Sequence, residues 1–140
     1  MIDNIIKAAT CSVSCGNELG TGHLIADRKV LTARHCIIEA IESDCSITLT
    51  FADSEKISAE LFAHSEEMDA CILSLSQPLE RQPIPIDAEI PREGSAWRSF
   101  GYPSGKTIIG HRVTGRISHL LDTPKLKMDI DLTVDPMTSL

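Results

Sequence analysis

The sequence predicts an all-β protein built as two β units, and three observations carry that expectation. Short β-compatible runs follow one another through the first 76 residues, separated by turn residues such as Gly16-Asn17 and Asp27-Arg28. Residues 45–51 (CSITLTF) alternate apolar and polar side chains and are rich in β-branched residues, the pattern of a half-buried strand. Between 77 and 94, Pro78, Pro83, Pro85 and Pro91 remove backbone donors and fix φ, which excludes a central strand and marks a connector.

In chain order, 10–14, 22–26 and 30–32 read as strands, punctuated by Gly16-Asn17, Gly20 and Asp27-Arg28. A brief helical stretch is expected over 33–41. Strands follow over 45–51, 57–63 and 70–75, the last two split by the polar run 64–69. About six short strands at this spacing belong to a sandwich or a barrel, so 1–76 is expected to form the first unit and 77–94 the connector. Beyond it, 96–100, 107–109, 112–118 and 127–134 read as strands, with a turn at 102–105. The second unit, 95–140, would then lack roughly half the strands of the first. No repeat or heptad pattern interrupts this reading.

Composition narrows the function. A formal net charge of −7 with scattered Lys and Arg argues against a nucleic-acid partner, which needs clustered cations. Aromatic residues make up only 4%, so the core must rest on Ile, Leu, Val and Ala. No apolar run reaches the length of a membrane span, and the N-terminal MIDNIIKAATCSVSC lacks the basic-then-apolar form of a signal peptide. The five cysteines, Cys11, Cys15, Cys36, Cys45 and Cys71, are an odd number. Together these features predict reduced thiols and a cytoplasmic location.

The chemistry concentrates in residues 20–36, GTGHLIADRKVLTARHC: a Gly-x-Gly turn, an apolar strand, a polar turn, a second apolar strand, and His35 just after Thr32-Ala33. A general base must sit at a fixed point in a cleft, and the end of a strand in a packed barrel provides one. An isolated histidine is more often structural, but this segment resembles the catalytic-histidine region of trypsin-like serine proteases, where Leu-Thr-Ala-x-His-Cys follows a glycine-bearing strand. Arg34 departs from the usual small residue there, and its side chain is expected to point to solvent.

Two further segments carry the same resemblance. Met68-Asp69-Ala70-Cys71-Ile72-Leu73 is similar to the segment bearing the family's catalytic aspartate, 34 residues after His35. An acid opening an apolar strand is costly to bury without a partner, and a histidine N–H is such a partner. Residues 97–117 (WRSFGYPSGKTIIGHRVTGRI) resemble the start of the second barrel in bacterial members, with Gly101, Pro103, Gly110, Val113, Gly115 and Ile117 in scaffold positions. The resemblance covers about 13–134. It implies the double six-stranded antiparallel β-barrel of the chymotrypsin fold, incomplete in its second barrel. It also implies a serine endopeptidase in which His35 deprotonates a serine, Asp69 orients His35, and peptide bonds are cleaved through an acyl-enzyme. No cofactor or metal is implied. The partners would be protein or peptide substrates, with the rest of the protease domain or a larger multidomain protein; nucleic acid and membrane are not expected.

The pattern departs at the nucleophile. Nothing matches the family's Gly-x-Ser-Gly-Gly-Pro-like loop, whose backbone N–H groups also form the oxyanion hole. Ser139 could be forced into that position only with Met137 and Leu140 replacing turn-forming glycines. The expectation is therefore a serine lying outside the chain, and a fragment inert alone. The resemblance also implies that Gly20 stands where secreted members carry the disulfide partner of the cysteine after the histidine, leaving Cys36 a free buried thiol. No Ile-Val-Gly-Gly activation segment is present, so activation by a partner domain is the expected alternative. Two rival readings remain. One is a zinc module drawing on Cys11, Cys15, His35, Cys36 and Cys45, whose spacings are poor for paired ligands. The other is a catalytically inactive trypsin-like domain used for binding or regulation.

Overall fold

A computed structural model describes residues 2–86, 92–102, 111–121, 129–134 and 138–139. Six antiparallel strands, β1 (Thr10–Cys15), β2 (Glu18–Ala26), β3 (Lys29–Ala33), β4 (Ile47–Phe51), β5 (Lys56–Ser65) and β6 (Ala70–Leu75), close into a barrel. Their order around it is β1-β2-β3-β6-β5-β4, and pairing of β1 with β4 from Cys15↔Ile47 to Cys11↔Phe51 makes the closure. Closure leaves no open strand edge, which an isolated six-stranded sheet would expose.

Side-chain alternation drives this arrangement. Cys11, Val13 and Cys15 of β1, Ile47, Leu49 and Phe51 of β4, and Cys71, Leu73 and Leu75 of β6 point inward and are buried. The residues between them lie half-buried on the outer face, as a period of two requires. Leu24 and Val30 complete the centre. Full burial of each Val or Leu there contributes about 1.5–3 kcal/mol before entropy is charged against it. With so few aromatic residues, Cys11, Cys15 and Cys71 serve as small core hydrophobes.

Three local features differ from the sequence expectation. An α-helix, α1 (Ile2–Ala9), precedes the barrel; Ile2, Ile5, Ile6 and Ala9 have helical spacing, but over two turns only. Thr10 Oγ1 donates to Ile6 O at 2.6 Å and closes its end. The single helical stretch expected over 33–41 is instead a 3₁₀ turn, Arg34–Ile37, followed by α2 (Ile38–Ser43). The strand expected to stop at Ala63 runs on to Ser65, because a bulge between Leu61 and Ala63 turns Phe62 outward beneath the Lys29 ammonium and lets pairing with β6 resume.

The connector follows β2. Leu79 N–H donates to Asp27 O and Ile84 N–H to Leu24 O. Arg81 fastens it to the barrel: its guanidinium lies 4.4 Å over the Phe51 ring and bonds Asp53, Glu55 and Ala8 O. Among the described residues the second unit is a four-stranded antiparallel sheet of β7 (Ala96–Gly101), β8 (His111–Leu121), β9 (Asp129–Val134) and β10 (Thr138–Ser139), with β8 pairing all three others. Among the described residues this second unit is an open sheet rather than a closed barrel, within an all-β fold. Tyr102, packed edge-on against Phe100, joins the units through its N–H, which donates to Thr21 Oγ1. The strand expected at 107–109 and the turn residues Pro103, Ser104 and Gly105 lie outside the described residues. Among the described residues no helix is long and apolar enough to cross a membrane.

Candidate active site

The site forms where β3 ends and β6 begins. These strands are antiparallel neighbours with Ala33 opposite Ala70, so the residues just beyond each meet although 34 positions separate them. Cys36 and Ile37 are buried and anchor the 3₁₀ turn from beneath; His35, between them and the strand, is displayed at the barrel end with 68% of its side chain exposed. Asp69 ends the turn that leads out of β5, closed by its own N–H donating to Glu66 O and by Met68 N–H donating to Ser65 Oγ. Its φ of +49° lies in the left-handed region, which Asp tolerates better than most residues.

Asp69 grips His35 at two points. Oδ1 accepts the His35 backbone N–H at 2.9 Å, and Oδ2 lies 2.6 Å from ring Nδ1. A third bond, Arg34 N–H to Asp69 O at 3.1 Å, extends the strand pairing by one step. The ring bond, then the backbone bond, hold the Asp69 carboxyl below the usual carboxylate range. An ionised carboxylate only accepts, so Nδ1 carries the proton and Nε2 is left with a free lone pair. The arrangement can therefore take a proton at Nε2 and stabilise the resulting imidazolium from the other side of the ring.

The thiols beneath cannot do that work. Burial pushes the Cys71 thiol up to about 11, helped by Cys36 and Asp69 nearby, and burial raises Cys36 as well. Both stay protonated at neutral pH and neither offers a thiolate nucleophile. All five cysteines are free. Gly20 faces Cys36 directly: a Cβ there would stand 2.2 Å from its Sγ. The residues of the zinc reading are dispersed by the fold, with Cys11 and Cys15 in the barrel core and His35 held by Asp69 at its end. Among the described residues no group of three or more His, Cys, Asp and Glu is placed to hold a metal.

Two residues differ from expectation or were missed. Arg34 lies at the surface but does not end free in solvent: its Nε donates to His64 Nδ1 at 3.0 Å in an exposed contact. His64 opens the polar run expected between two strands, and pairing resumed after the bulge at Phe62 places it in β5 beside the site. Ser139 lies in β10, where its backbone pairs with His111 of β8. Met137 and Leu140 fall outside the described residues.

A β-barrel that presents an aspartate-held histidine at one end, joined through a proline-rich connector to a second β unit, has the architecture of a chymotrypsin-fold peptidase domain. The profile of the trypsin-like peptidase domain family matches residues 20–139, and the chain belongs to that family. Among solved structures it is similar to the crystal structure of the Rv3671c protease in an inactive form. The TM-score is 0.71 at 18% identity, over 95% of this chain and 68% of that one, a likeness of fold. No curated protein matches the chain.

Proposed function

We propose that this domain is a serine endopeptidase of trypsin-like type, with His35 as general base and Asp69 as the residue that orients it. The observation that carries the reading is the double grip of Asp69 on the His35 ring and backbone, which leaves Nε2 as the basic nitrogen. In the reaction, Nε2 takes the proton of a serine hydroxyl as its oxygen attacks the peptide carbonyl. The resulting imidazolium, held by Asp69, then gives that proton to the leaving amine, and water repeats the cycle on the acyl-enzyme. The serine is supplied from outside this chain, or by Ser139 in β10. Substrates are proteins or peptides, and no cofactor or metal takes part in the steps assigned here.

A catalytically inactive domain used for binding or regulation is the competing reading. One observation favours it: no Gly-x-Ser-Gly-Gly-Pro-like segment occurs in the sequence. Peptide cleavage and fluorophosphonate labelling, on this chain and on the longest natural protein containing it, decide between them. The peptidase reading expects a labelled serine whose reactivity falls by about 10⁴ or more in His35→Ala. Labelling undiminished by that change removes His35 from its role. No labelled serine in the longest form leaves the inactive domain.

A further inference from the structure

Beside the dyad stands a second side-chain pair that the peptidase chemistry does not use. In the barrel β6 lies between β3 and β5. Arg34 follows β3 directly, while His64 lies on β5 opposite Cys71, with Ser65 opposite Ala70. The Arg34 side chain therefore spans the start of β6 to reach β5, and its Nε donates to His64 Nδ1 at 3.0 Å. Its backbone N–H meanwhile holds Asp69 O at 3.1 Å. One residue thus ties both feet of the turn that carries Asp69: the β5 side through His64 and the β6 side through the Asp69 carbonyl.

We propose that Arg34 and His64 form a clasp that positions the Asp69 carboxylate for His35. This rests on the peptidase reading for its purpose, though not for its geometry. Asp69 sits in a sparsely populated backbone conformation, so the direction of its carboxylate depends on how the turn is held from outside. The guanidinium also lies close enough to Asp69 to favour its ionised form. Accepting from Arg34 Nε requires a lone pair on His64 Nδ1, which makes His64 the neutral Nε2–H tautomer. Lys at position 34 would keep the charge but lose the planar Nε donor. An exposed pair of this kind adds little to global stability, so its removal should move Asp69 without unfolding the domain.

The test reads the His35 ring Nδ1 proton by NMR in the 140-residue chain, with the signal identified by its loss in His35→Ala. Arg34→Ala and His64→Leu should each speed exchange of that proton by about tenfold, the net loss of one hydrogen bond. The double variant should be no worse than either single change. His64→Asn, which restores a neutral acceptor near the position of Nδ1, should recover the slow exchange; Arg34→Lys should not. Unchanged exchange in both single variants, or His64→Asn no better than His64→Leu, overturns the clasp. If Arg34→Ala fails to fold, the His64→Leu and His64→Asn comparison decides alone. No labelled serine in the longest natural protein containing the chain, together with the predicted exchange pattern, defeats the peptidase reading and leaves the clasp standing. His35-dependent cleavage untouched by Arg34→Ala does the reverse.

Discussion

Gly20→Ala tests whether the close packing of β2 against the histidine turn holds the site. An ideal Cβ at Gly20 would stand 2.2 Å from Cys36 Sγ and 2.9 Å from Cys36 Cβ. A carbon and a sulfur need well over 3 Å, so the overlap is about 1 Å or more. Cys36 has little freedom to yield, because it is 6% exposed and sits in a four-residue turn whose next residue, Ile37, is wholly buried. Overpacking of this kind costs about 1–3 kcal/mol. For a domain of this size each kcal/mol lowers Tm by roughly 3–4 °C, so the expected drop is about 3–12 °C. The cause is local, and Cys36→Gly should relieve it: the double variant should be less destabilised than the sum of the two single changes by about 1 kcal/mol or more. Urea unfolding of the four proteins, followed by circular dichroism, measures this. A Gly20→Ala variant within about 0.5 kcal/mol of the parent, or strictly additive changes, refutes the reasoning.

Three other outcomes are expected. Asp69 has a folded-state pKa below its unfolded one, so the stability it contributes is present above the ordinary aspartate range and fades as pH falls through the folded value. Urea midpoints of the parent and Asp69→Asn should thus differ above the ordinary aspartate range and converge as pH falls below it, and a gap that persists in acid contradicts the assignment. Arg81→Ala should cost about 1–3 kcal/mol, since it leaves Asp53 and Glu55 without their shared partner and uncovers the Phe51 ring. Arg81→Lys should recover little of that, because an ammonium cannot bridge both carboxylates while stacking on a ring. In native protein one thiol, Cys45, should react quickly with a disulfide reagent, because it alone is half-exposed while Cys11, Cys15, Cys36 and Cys71 are buried. Five should react in urea, and several fast native thiols would contradict the burial pattern.

What the sequence revealed, and what it hid, follow from the range of the forces involved. Strand β6 was legible to the residue, because the inward Cys71, Leu73 and Leu75 alternate with outward Ala70, Ile72 and Ser74. Strand β4 was legible but starts two residues later than its pattern, since Cys45 N–H is taken by Glu39 O at the end of α2. Helix α1 was missed because its period spans only two turns and its stability comes from packing on β1, β2 and β7, which no local pattern reports. His35 and Asp69 could be named from the segments that carry them. Arg34–His64 could not: the contact needs a bulge at Phe62 to set the register of β5, and a bulge inside Leu61-Phe62-Ala63 leaves almost no trace in an apolar stretch.

The geometry of the dyad is a consequence of barrel closure more than of its own bonds. His35 and Asp69 are 68% and 51% exposed, and an exposed pair by itself is weakly held. Its short contact persists because both residues extend strands that are already paired, Ala33 against Ala70, because Cys36 and Ile37 lock the His35 turn from the core side, and because the 66–69 turn holds Asp69 in its left-handed conformation. A one-residue deletion among 66–68 should therefore do more harm to the His35–Asp69 contact than removing either hydrogen bond alone. Such a deletion leaves β3 and β6 in register through Leu31↔Ile72 and Val30↔Leu73, so the barrel should still fold. Asp69, however, would be pulled out of its left-handed conformation, and its carboxylate would lose the direction to Nδ1. The expected result is a folded protein, by near-parental circular dichroism and Tm, in which the His35 ring proton exchanges as fast as in Asp69→Asn. If the ring proton stays protected in that deletion, the strand ends alone suffice to place the pair.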